Sequence, residues 1–217
     1  MRYTFKVKNQ SPWIADLYNE YLENKSDGFL VEIGVGHTLE GVDKIDDGTL
    51  DNIKNFSRCG SNTADLLDMG WSGIYIEPVK EYCEEAKISH AHNLDRLKII
   101  NMGAGDSHDF IKMFLGDSFI ANNYGNRGYA WIGREVEIQP TSTILSNNKC
   151  PKNIDLMSID VEGFEDKVIK GMDFNLHAPK MMVVEINIVP PEIITSLLPK
   201  EYEFVKSDEL NAVWVKK

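Results

Sequence analysis

Five short apolar runs, separated by helical segments, constrain the fold of this chain more than any other feature of its sequence. The runs cover residues 29–33, 73–76, 97–101, 154–159 and 181–186. Their residues are mostly apolar and do not alternate strictly with polar ones, which indicates strands that are buried on both faces. Helices are predicted between several of the runs, over residues 62–69, 79–88 and 164–170. This alternation predicts an α/β fold, a doubly wound and mostly parallel sheet with helices on both faces.

Two further elements flank this alternation within the 217 residues. Residues 13–22 have the apolar spacing of an amphipathic helix, which belongs to an N-terminal helical extension over residues 1–28. Residues 202–205 and 212–215 are rich in β-forming side chains and predict an antiparallel hairpin at the sheet edge. Residues 39–59 form an insertion too long for a tight connection, which we interpret as an acidic loop and a candidate lid. We expect one domain.

The composition narrows the class of partner. The chain has 34 Asp and Glu against 23 Lys and Arg, a net charge of −11, which disfavours nucleic-acid binding because phosphate contacts come from basic residues. No apolar stretch reaches the 18 residues of a membrane span, and the first residues do not resemble a secretory signal. Cys59, Cys83 and Cys150 form no C-x-x-C pair, which favours reduced thiols. We therefore expect a cytoplasmic protein with no nucleic-acid or membrane partner.

Carboxylates follow the predicted strands at the edge of the sheet where ligands bind. In an open parallel sheet this is the edge formed by the carboxyl ends of the strands. Four of the five runs carry a carboxylate within two residues of their end, at Glu32, Glu77, Asp160 and Glu185. An acidic crevice repels phosphate groups and favours a cationic cofactor.

The first run ends in a glycine turn, which narrows the choice of cofactor. Gly34 and Gly36 allow a ligand to approach the backbone, and Glu77 can accept hydrogen bonds from a ribose diol. These features suit either NAD or S-adenosylmethionine. The dinucleotide motif G-x-G-x-x-G/A needs a small residue where this chain has Leu39, and no P-loop motif is present. An NAD(P)-dependent Rossmann oxidoreductase is therefore the weaker alternative.

Five segments carry a resemblance to one enzyme family. They read FLVEIGVG, GSNTADLLDMGWSGIYIEP, INMGAGD, IDLMSIDVEGFEDKVIKGMDF and MMVVEIN, of which the fourth is the most specific. In these segments the chain resembles the FkbM-type class I methyltransferases, which depend on S-adenosylmethionine. The resemblance implies the doubly wound sheet already predicted, S-adenosylmethionine as cofactor, and methyl transfer to a hydroxyl oxygen. The implied acceptor is a sugar or another small metabolite.

The resemblance also implies which residues bind the cofactor. In the order of the cofactor groups that they would contact, they are Glu32, Gly34 and Gly36 on the methionine side, Gly60 and Ser61 at the start of the helix beneath the cofactor, Glu77 and Pro78 at the ribose, and Met102, Gly103 and Asp106 around the adenine. Two features depart from the family. Glu32 and Gly36 stand where the family commonly has Asp and Asn, and the insertion interrupts the glycine loop before Gly60.

The implied methyl-transfer centre lies at Asp160. A hydroxyl acceptor must lose a proton, so Asp160 is the candidate general base or substrate-orienting carboxylate, with Glu162 as the second candidate. Glu162 and Glu165 have an alternative role, in which they cap or charge the first turn of the following helix. For Glu165 this alternative is the preferred one.

A metal ion is a further alternative at the same strand ends. Glu185 and Asn187 are spaced to point the same way from an extended segment, and with Asp160 they offer the oxygen ligands that Mg²⁺ prefers. Polar lining of the crevice is the preferred interpretation, so no metal is predicted.

Aromatic, amide and guanidinium side chains in residues 122–131 are those that bind sugar rings, and Tyr124, Arg127 and Trp131 are candidates for substrate recognition. Two other functions stay open at this point. A non-catalytic module could retain the cofactor fold, and an RNA ribose could be the acceptor, although the charge of the chain opposes the latter.

Overall fold

The computed structural model describes residues 13–23, 25–36, 61–114 and 133–217. Its helices are α1 (Ile14–Tyr21), α2 (Ala64–Asp68), α3 (Lys80–Ser89), α4 (Thr141–Asn147), α5 (Glu165–Lys170) and α6 (Pro191–Leu197), with a 3₁₀ turn at Ala91–Asn93. Its strands are β1 (Phe29–Ile33), β2 (Ser72–Glu77), β3 (Leu97–Asn101), β4 (Gly103–Gly105), β5 (Asp109–Phe114), β6 (Gly133–Pro140), β7 (Asn153–Ile159), β8 (Ala178–Glu185), β9 (Tyr202–Ser207) and β10 (Asn211–Lys216). No described helix has the length and apolar character needed to cross a membrane.

Seven of the strands form one sheet in the order β3-β2-β1-β7-β8-β10-β9. Strand β1 is third in this order, next to the central strand β7. It pairs in parallel with β2 and β7, whose outer neighbours β3 and β8 are also parallel. Strand β10 pairs antiparallel with β8 and with β9 at the edge. The doubly wound, mostly parallel sheet and the C-terminal hairpin predicted from the sequence are confirmed.

Helices cover both faces of this sheet. On β1, Val31 and Ile33 contribute to one apolar cluster together with side chains of α4, α5 and α6. Successive residues of a strand point to opposite faces of the sheet. Leu30, which precedes Val31, therefore joins a second cluster with side chains of α1, α2 and α3. A strand that is apolar on both faces is stable only between two such layers.

A second, smaller sheet with the order β4-β6-β5 was not predicted. Its first strand has three residues, two of them glycines, and pairs in parallel with the far end of β6. Strand β6 pairs antiparallel with β5. In β6 the exposed or half-exposed Glu135 and Glu137 alternate with the buried Val136 and Ile138, which is a half-buried pattern unlike that of the central strands.

Several predictions concern residues outside those that the structure describes. They include the lid role of residues 39–59, the cofactor role of Gly60, and the sugar-binding roles of Tyr124, Arg127 and Trp131. These stay predictions.

Candidate active site

The turn that follows β1 requires glycine at two positions. Gly34 and Gly36 have φ angles of +83° and +59°, in the left-handed region that favours glycine. A Cβ on Gly34 would lie 1.6 Å from the carbonyl oxygen of Asp160, so the turn packs directly against the end of β7. A Cβ on Gly36 would meet no atom of the described residues within 4 Å.

Glu77, at the end of β2, holds this glycine turn through its carboxylate. Oε2 accepts hydrogen bonds from the backbone N–H groups of Val35 and Gly36, at 3.0 and 3.1 Å, and Oε1 accepts one from Val79 at 2.8 Å. A carboxylate has about four acceptor sites, and donors among the described residues take three of them, which leaves one on Oε1. The residue is only 2% exposed, and its burial raises the pKa of the carboxyl from 4.5 to about 7, to which the nearby Asp160 contributes.

A cavity of about 450 Å³ opens at the carboxyl ends of β2 and β3. Its walls come from the segments after these strands and from the middle of β6. They are Pro78, Val79, Lys80, Glu81, Asn101, Met102, Glu135, Val136 and Glu137. Asn101 fixes one wall, because its side-chain amide donates to the carbonyl oxygens of Glu77 and Pro78 at 3.0 and 2.8 Å. Pro78 and Met102, both predicted to bind the cofactor, therefore face one cavity beside Glu77.

Glu32 lies beneath the site as the centre of a buried polar network. Its Oε2 accepts hydrogen bonds from the hydroxyls of Ser61 and Thr63, at 2.9 and 2.5 Å, and its Oε1 accepts one from the N–H of Asn62 at 3.2 Å. The Tyr75 hydroxyl lies 2.9 Å from that of Thr63. Burial raises the pKa of Glu32, and these hydrogen bonds oppose the rise. The contacts tie β1 to the segment that leads into α2.

Ser61, which the resemblance placed at the start of the helix, lies three residues before the first residue of α2, Ala64. Its hydroxyl oxygen accepts hydrogen bonds from the N–H groups of Thr63 and Ala64 at 3.2 and 3.0 Å. It also donates to Glu32, so one hydroxyl links the helix start to the acid of β1.

The turn after β7 presents two carboxylates and is held by a third. Glu165, in the first turn of α5, accepts hydrogen bonds through Oε1 from the N–H groups of Val161 and Gly163, at 3.1 Å each. Glu165 places its charge in the first turn of α5, which is one of the two forms of the predicted role. It does not cap the helix, because the N-cap residue is Phe164 and the N–H donors precede the helix. Glu162 precedes the helix in the left-handed region, with φ +55°, and takes no part in α5.

Asp160, Glu162 and Glu185 form a group that we call the carboxylate trio. One carboxylate oxygen from each lies within 4.8 Å of the other two. Glu185 ends β8 and is 5% exposed, and burial together with the charges of Asp160 and Glu162 raises its pKa to about 10. Asn187 donates from Nδ2 to Oε1 of Glu185 at 2.8 Å. The predicted metal alternative consisted of Asp160, Glu185 and Asn187. In the structure Glu162 supplies the third carboxylate oxygen, and Asn187 acts as a hydrogen-bond donor to Glu185.

Two predicted cofactor residues lie in other surroundings. Gly103 belongs to β4, where an added Cβ would lie 3.0 Å from the side chain of Ile138, so its small size serves the packing of the second sheet. Asp106 follows β4 and forms an ion pair with Lys167 of α5 at 3.3 Å. Neither residue lines the cavity beside Glu77.

Sequence reasoning missed the partners of the predicted acids. Thr63 and Tyr75 hold Glu32, and Glu135 and Glu137 form a wall of the cavity from β6. A signal for the latter pair existed in the alternation of β6. None existed for the former pair, since a hydroxyl's partner across the sheet cannot be read from spacing along the chain.

The sequence matches one family model. Residues 48–206 match the model described as the methyltransferase FkbM domain, which covers most of the chain and begins after β1. Among curated proteins, none matches significantly.

Several solved structures are similar to this one at low sequence identity. A Geobacter sulfurreducens methyltransferase is 12% identical over 98% of this chain and 93% of its own, with a TM-score of 0.47. A Bacillus cereus O-methyltransferase, in complex with S-adenosylhomocysteine, is 11% identical over 95% and 82%, with a TM-score of 0.45. The Methanococcus jannaschii fibrillarin pre-rRNA processing protein is 14% identical over 88% and 67%, with a TM-score of 0.46. Similarities at this level carry no argument about function.

Proposed function

This chain belongs to the FkbM methyltransferase family, and we propose that it methylates a hydroxyl oxygen of a sugar or another small metabolite. It is a methyltransferase whose cofactor is S-adenosylmethionine. Of the two cofactors that the glycine turn suits, NAD and S-adenosylmethionine, the chain therefore uses the second. When bound, this cofactor supplies an electrophilic methyl group on a sulfonium ion. The chain's own residues must therefore bind the cofactor, align the acceptor hydroxyl and take up its proton.

The residues beside the cavity fit S-adenosylmethionine. Donors among the described residues use three acceptor sites of Glu77, and the fourth can accept a hydrogen bond from a ribose hydroxyl. No atom of the described residues would lie within 4 Å of a Cβ on Gly36, and Pro78 and Met102 provide apolar surface for an adenine ring. The carboxylates of Glu77 and Asp160 favour the positive charge of the sulfonium over a pyrophosphate.

One observation carries the assignment of the reacting centre, namely the contact between Gly34 and Asp160. Gly34 packs against the Asp160 carbonyl, and Glu77 binds the next two N–H groups. The proposed proton acceptor and the proposed ribose ligand therefore belong to residues that both contact the glycine turn. The Asp160 carboxylate is also near enough to raise the pKa of Glu77. We assign Asp160 as the general base or orienting carboxylate for the acceptor hydroxyl, with Glu162 as its neighbour.

The charge of the molecule supports a small, uncharged acceptor. The crevice carries Glu81, Glu135 and Glu137 in the cavity wall and the carboxylate trio beside the turn. With a net charge of −11, these acids disfavour an RNA acceptor. The buried free thiols of Cys83 and Cys150 support the expected reducing, cytoplasmic setting.

Calorimetric titration tests the cofactor site. Wild type, Glu77→Ala and the control Glu84→Ala are each titrated with S-adenosylmethionine, S-adenosylhomocysteine and NAD⁺. Glu84 is an exposed residue of α3 paired with Lys87, so its variant removes the same charge away from the turn. We expect both adenosyl ligands to bind wild type and the control, and to bind Glu77→Ala at least about 10-fold more weakly. Equal affinity in Glu77→Ala would remove Glu77 from the site.

Turnover tests the reacting centre. Hydroxylated metabolites are screened by the release of S-adenosylhomocysteine, and the accepted one is assayed with Asp160→Asn and with Asp166→Asn as a control. We expect Asp160→Asn to lose about 10²- to 10⁴-fold in turnover while its S-adenosylhomocysteine affinity stays close to that of wild type. That result would also exclude a non-catalytic cofactor-binding module. Full turnover in Asp160→Asn would contradict the assignment.

A further inference from the structure

Four carboxyl groups meet where β7 and β8 end, in a space too small for all of them to be ionised without a balancing charge. The carboxylate trio places one oxygen each from Asp160, Glu162 and Glu185 within 4.8 Å of one another. Glu165 is the fourth, and its charge contributes to the raised pKa of Glu185. Like charges at these distances disfavour the ionised forms, so a proton or a positive charge beside the group stabilises it.

A second observation concerns the buried side chain of Glu185. Its Oε1 accepts a hydrogen bond from Asn187, but its Oε2 is fully buried and has no hydrogen-bond donor among the described residues. The same carboxyl lies within hydrogen-bonding reach of Asp160. A buried carboxylate oxygen without a partner is costly, and such atoms in a folded protein need an explanation.

Oxygen ligands alone define the class of ion. Carboxylates are the ligands of hard divalent cations, and a Mg²⁺ or Mn²⁺ ion at its usual ligand distances holds neighbouring oxygens about 3–4 Å apart. The trio reaches this spacing with small side-chain adjustments. We propose that Asp160, Glu162 and Glu185 bind a divalent cation of the Mg²⁺ or Mn²⁺ type.

Asn187 has a positioning role in this site. By donating to Oε1 of Glu185, it orients the carboxyl and leaves Oε2 for the ion. A bound cation offsets the repulsion within the trio and keeps Asp160 ionised. It is compatible with Asp160 as an orienting carboxylate, which is one of the two roles proposed above. Cation binding itself does not depend on the proposed methyl transfer.

Manganese binding tests the site directly, with neither cofactor nor acceptor present. Mn²⁺ is titrated into the metal-free chain, and the free ion is followed by electron paramagnetic resonance. We expect one ion per chain with a dissociation constant below about 1 mM, and competition by Mg²⁺. Glu185→Gln and Asp160→Asn should each weaken binding at least about 10-fold. The control is Asp166→Asn, which removes a half-buried charge of α5 paired with Lys170 and should bind as wild type does.

Three outcomes would overturn the proposal. They are no Mn²⁺ binding to wild type at millimolar concentration, binding that survives both trio variants, and equal weakening in the Asp166→Asn control. Circular dichroism of each variant checks that it is folded, and Glu162→Gln repeats the test if either variant is not. Titration with S-adenosylmethionine is measured separately, so a failure of the cation site is distinguishable from a failure of the proposed function.

Discussion

The acids at the ends of β1 and β2 have surroundings opposite to those of the acids at the ends of β7 and β8. Glu32 and Glu77, which we call the anchored pair, each accept hydrogen bonds from three protein donors. Glu185 of the carboxylate trio instead faces Asp160 and Glu162, and one of its buried oxygens has no donor within the part of the chain that the structure describes. All five residues lie at the same edge of one sheet.

This difference distinguishes acids that hold the backbone of the site in place from acids that are placed to bind a ligand. The donors of the anchored pair are the glycine turn and the start of α2, so these carboxylates fix backbone that the cofactor must meet. In the trio, three carboxylate oxygens instead lie within 4.8 Å of one another. A proton, a substrate hydroxyl or a cation bound between these oxygens would reduce the repulsion among the three carboxylates.

Removing Glu32 should give the largest effect on folding. Glu32→Ala leaves the hydroxyls of Ser61 and Thr63 and the N–H of Asn62 without their buried acceptor, and it opens a cavity beneath the glycine turn. We expect the free energy of unfolding to fall by about 4 kcal/mol, measured by urea denaturation.

The control for this variant is Glu32→Gln, which keeps one acceptor oxygen and most of the volume. It should lose about half as much stability as the alanine variant. An alanine variant as stable as wild type would break the comparison, because Glu32 would then anchor nothing.

The central strands were predictable because each is a short apolar run that ends in a turn residue. The predicted bounds of β1 and β3 agree with the structure, whereas β8 begins three residues earlier than predicted, at Ala178. The second sheet was not predictable in the same way. Its strand β4 has no side chain larger than alanine, and its pairing with β6 brings together Gly103 and Ile138, which are far apart in sequence.

Which acids matter was also predictable, since strand ends meet at one edge. Their roles depended on partners that spacing does not reveal. Glu32 acquires its donors from residues 61–63, which follow the insertion, and Glu162 enters the trio only because of its left-handed backbone. A buried carboxylate is an anchor or a ligand according to contacts across the sheet, and the linear pattern is the same for both.

The pH dependence of stability should reveal Glu77. Its pKa rises from 4.5 to about 7 on folding, so between these values the folded chain holds a proton that the unfolded chain releases. Its contribution to stability is therefore full below about pH 4.5 and is lost as the pH rises through about 7. The change corresponds to about 3 kcal/mol. We expect wild type to lose about this much more stability than Glu77→Gln between pH 4.5 and 8, by urea denaturation across pH.

The stability of wild type and of Glu77→Gln could instead change with pH in the same way. This result would mean that the three N–H donors keep Glu77 ionised and that burial has no net effect on its pKa. The anchored pair would then be held more tightly than the comparison assumes. Glu84→Gln, at the exposed surface, provides the control curve and should follow that of wild type.

Removing a trio acid should change stability in the direction opposite to Glu32. In metal-free buffer at neutral pH, Glu185 is buried against Asp160 and Glu162, and its raised pKa of about 10 records the cost. With this pKa the folded chain holds a proton on Glu185 at neutral pH that the unfolded chain releases. Glu185→Gln is neutral without that proton uptake and keeps the shape and the contact with Asn187, so we expect a gain of about 1–2 kcal/mol. Excess Mn²⁺ should stabilise wild type alone and reverse the order. If Glu185→Gln is less stable than wild type without metal, Glu185 stabilises the fold as the anchored pair does. The two groups of acids would then not differ in the way proposed.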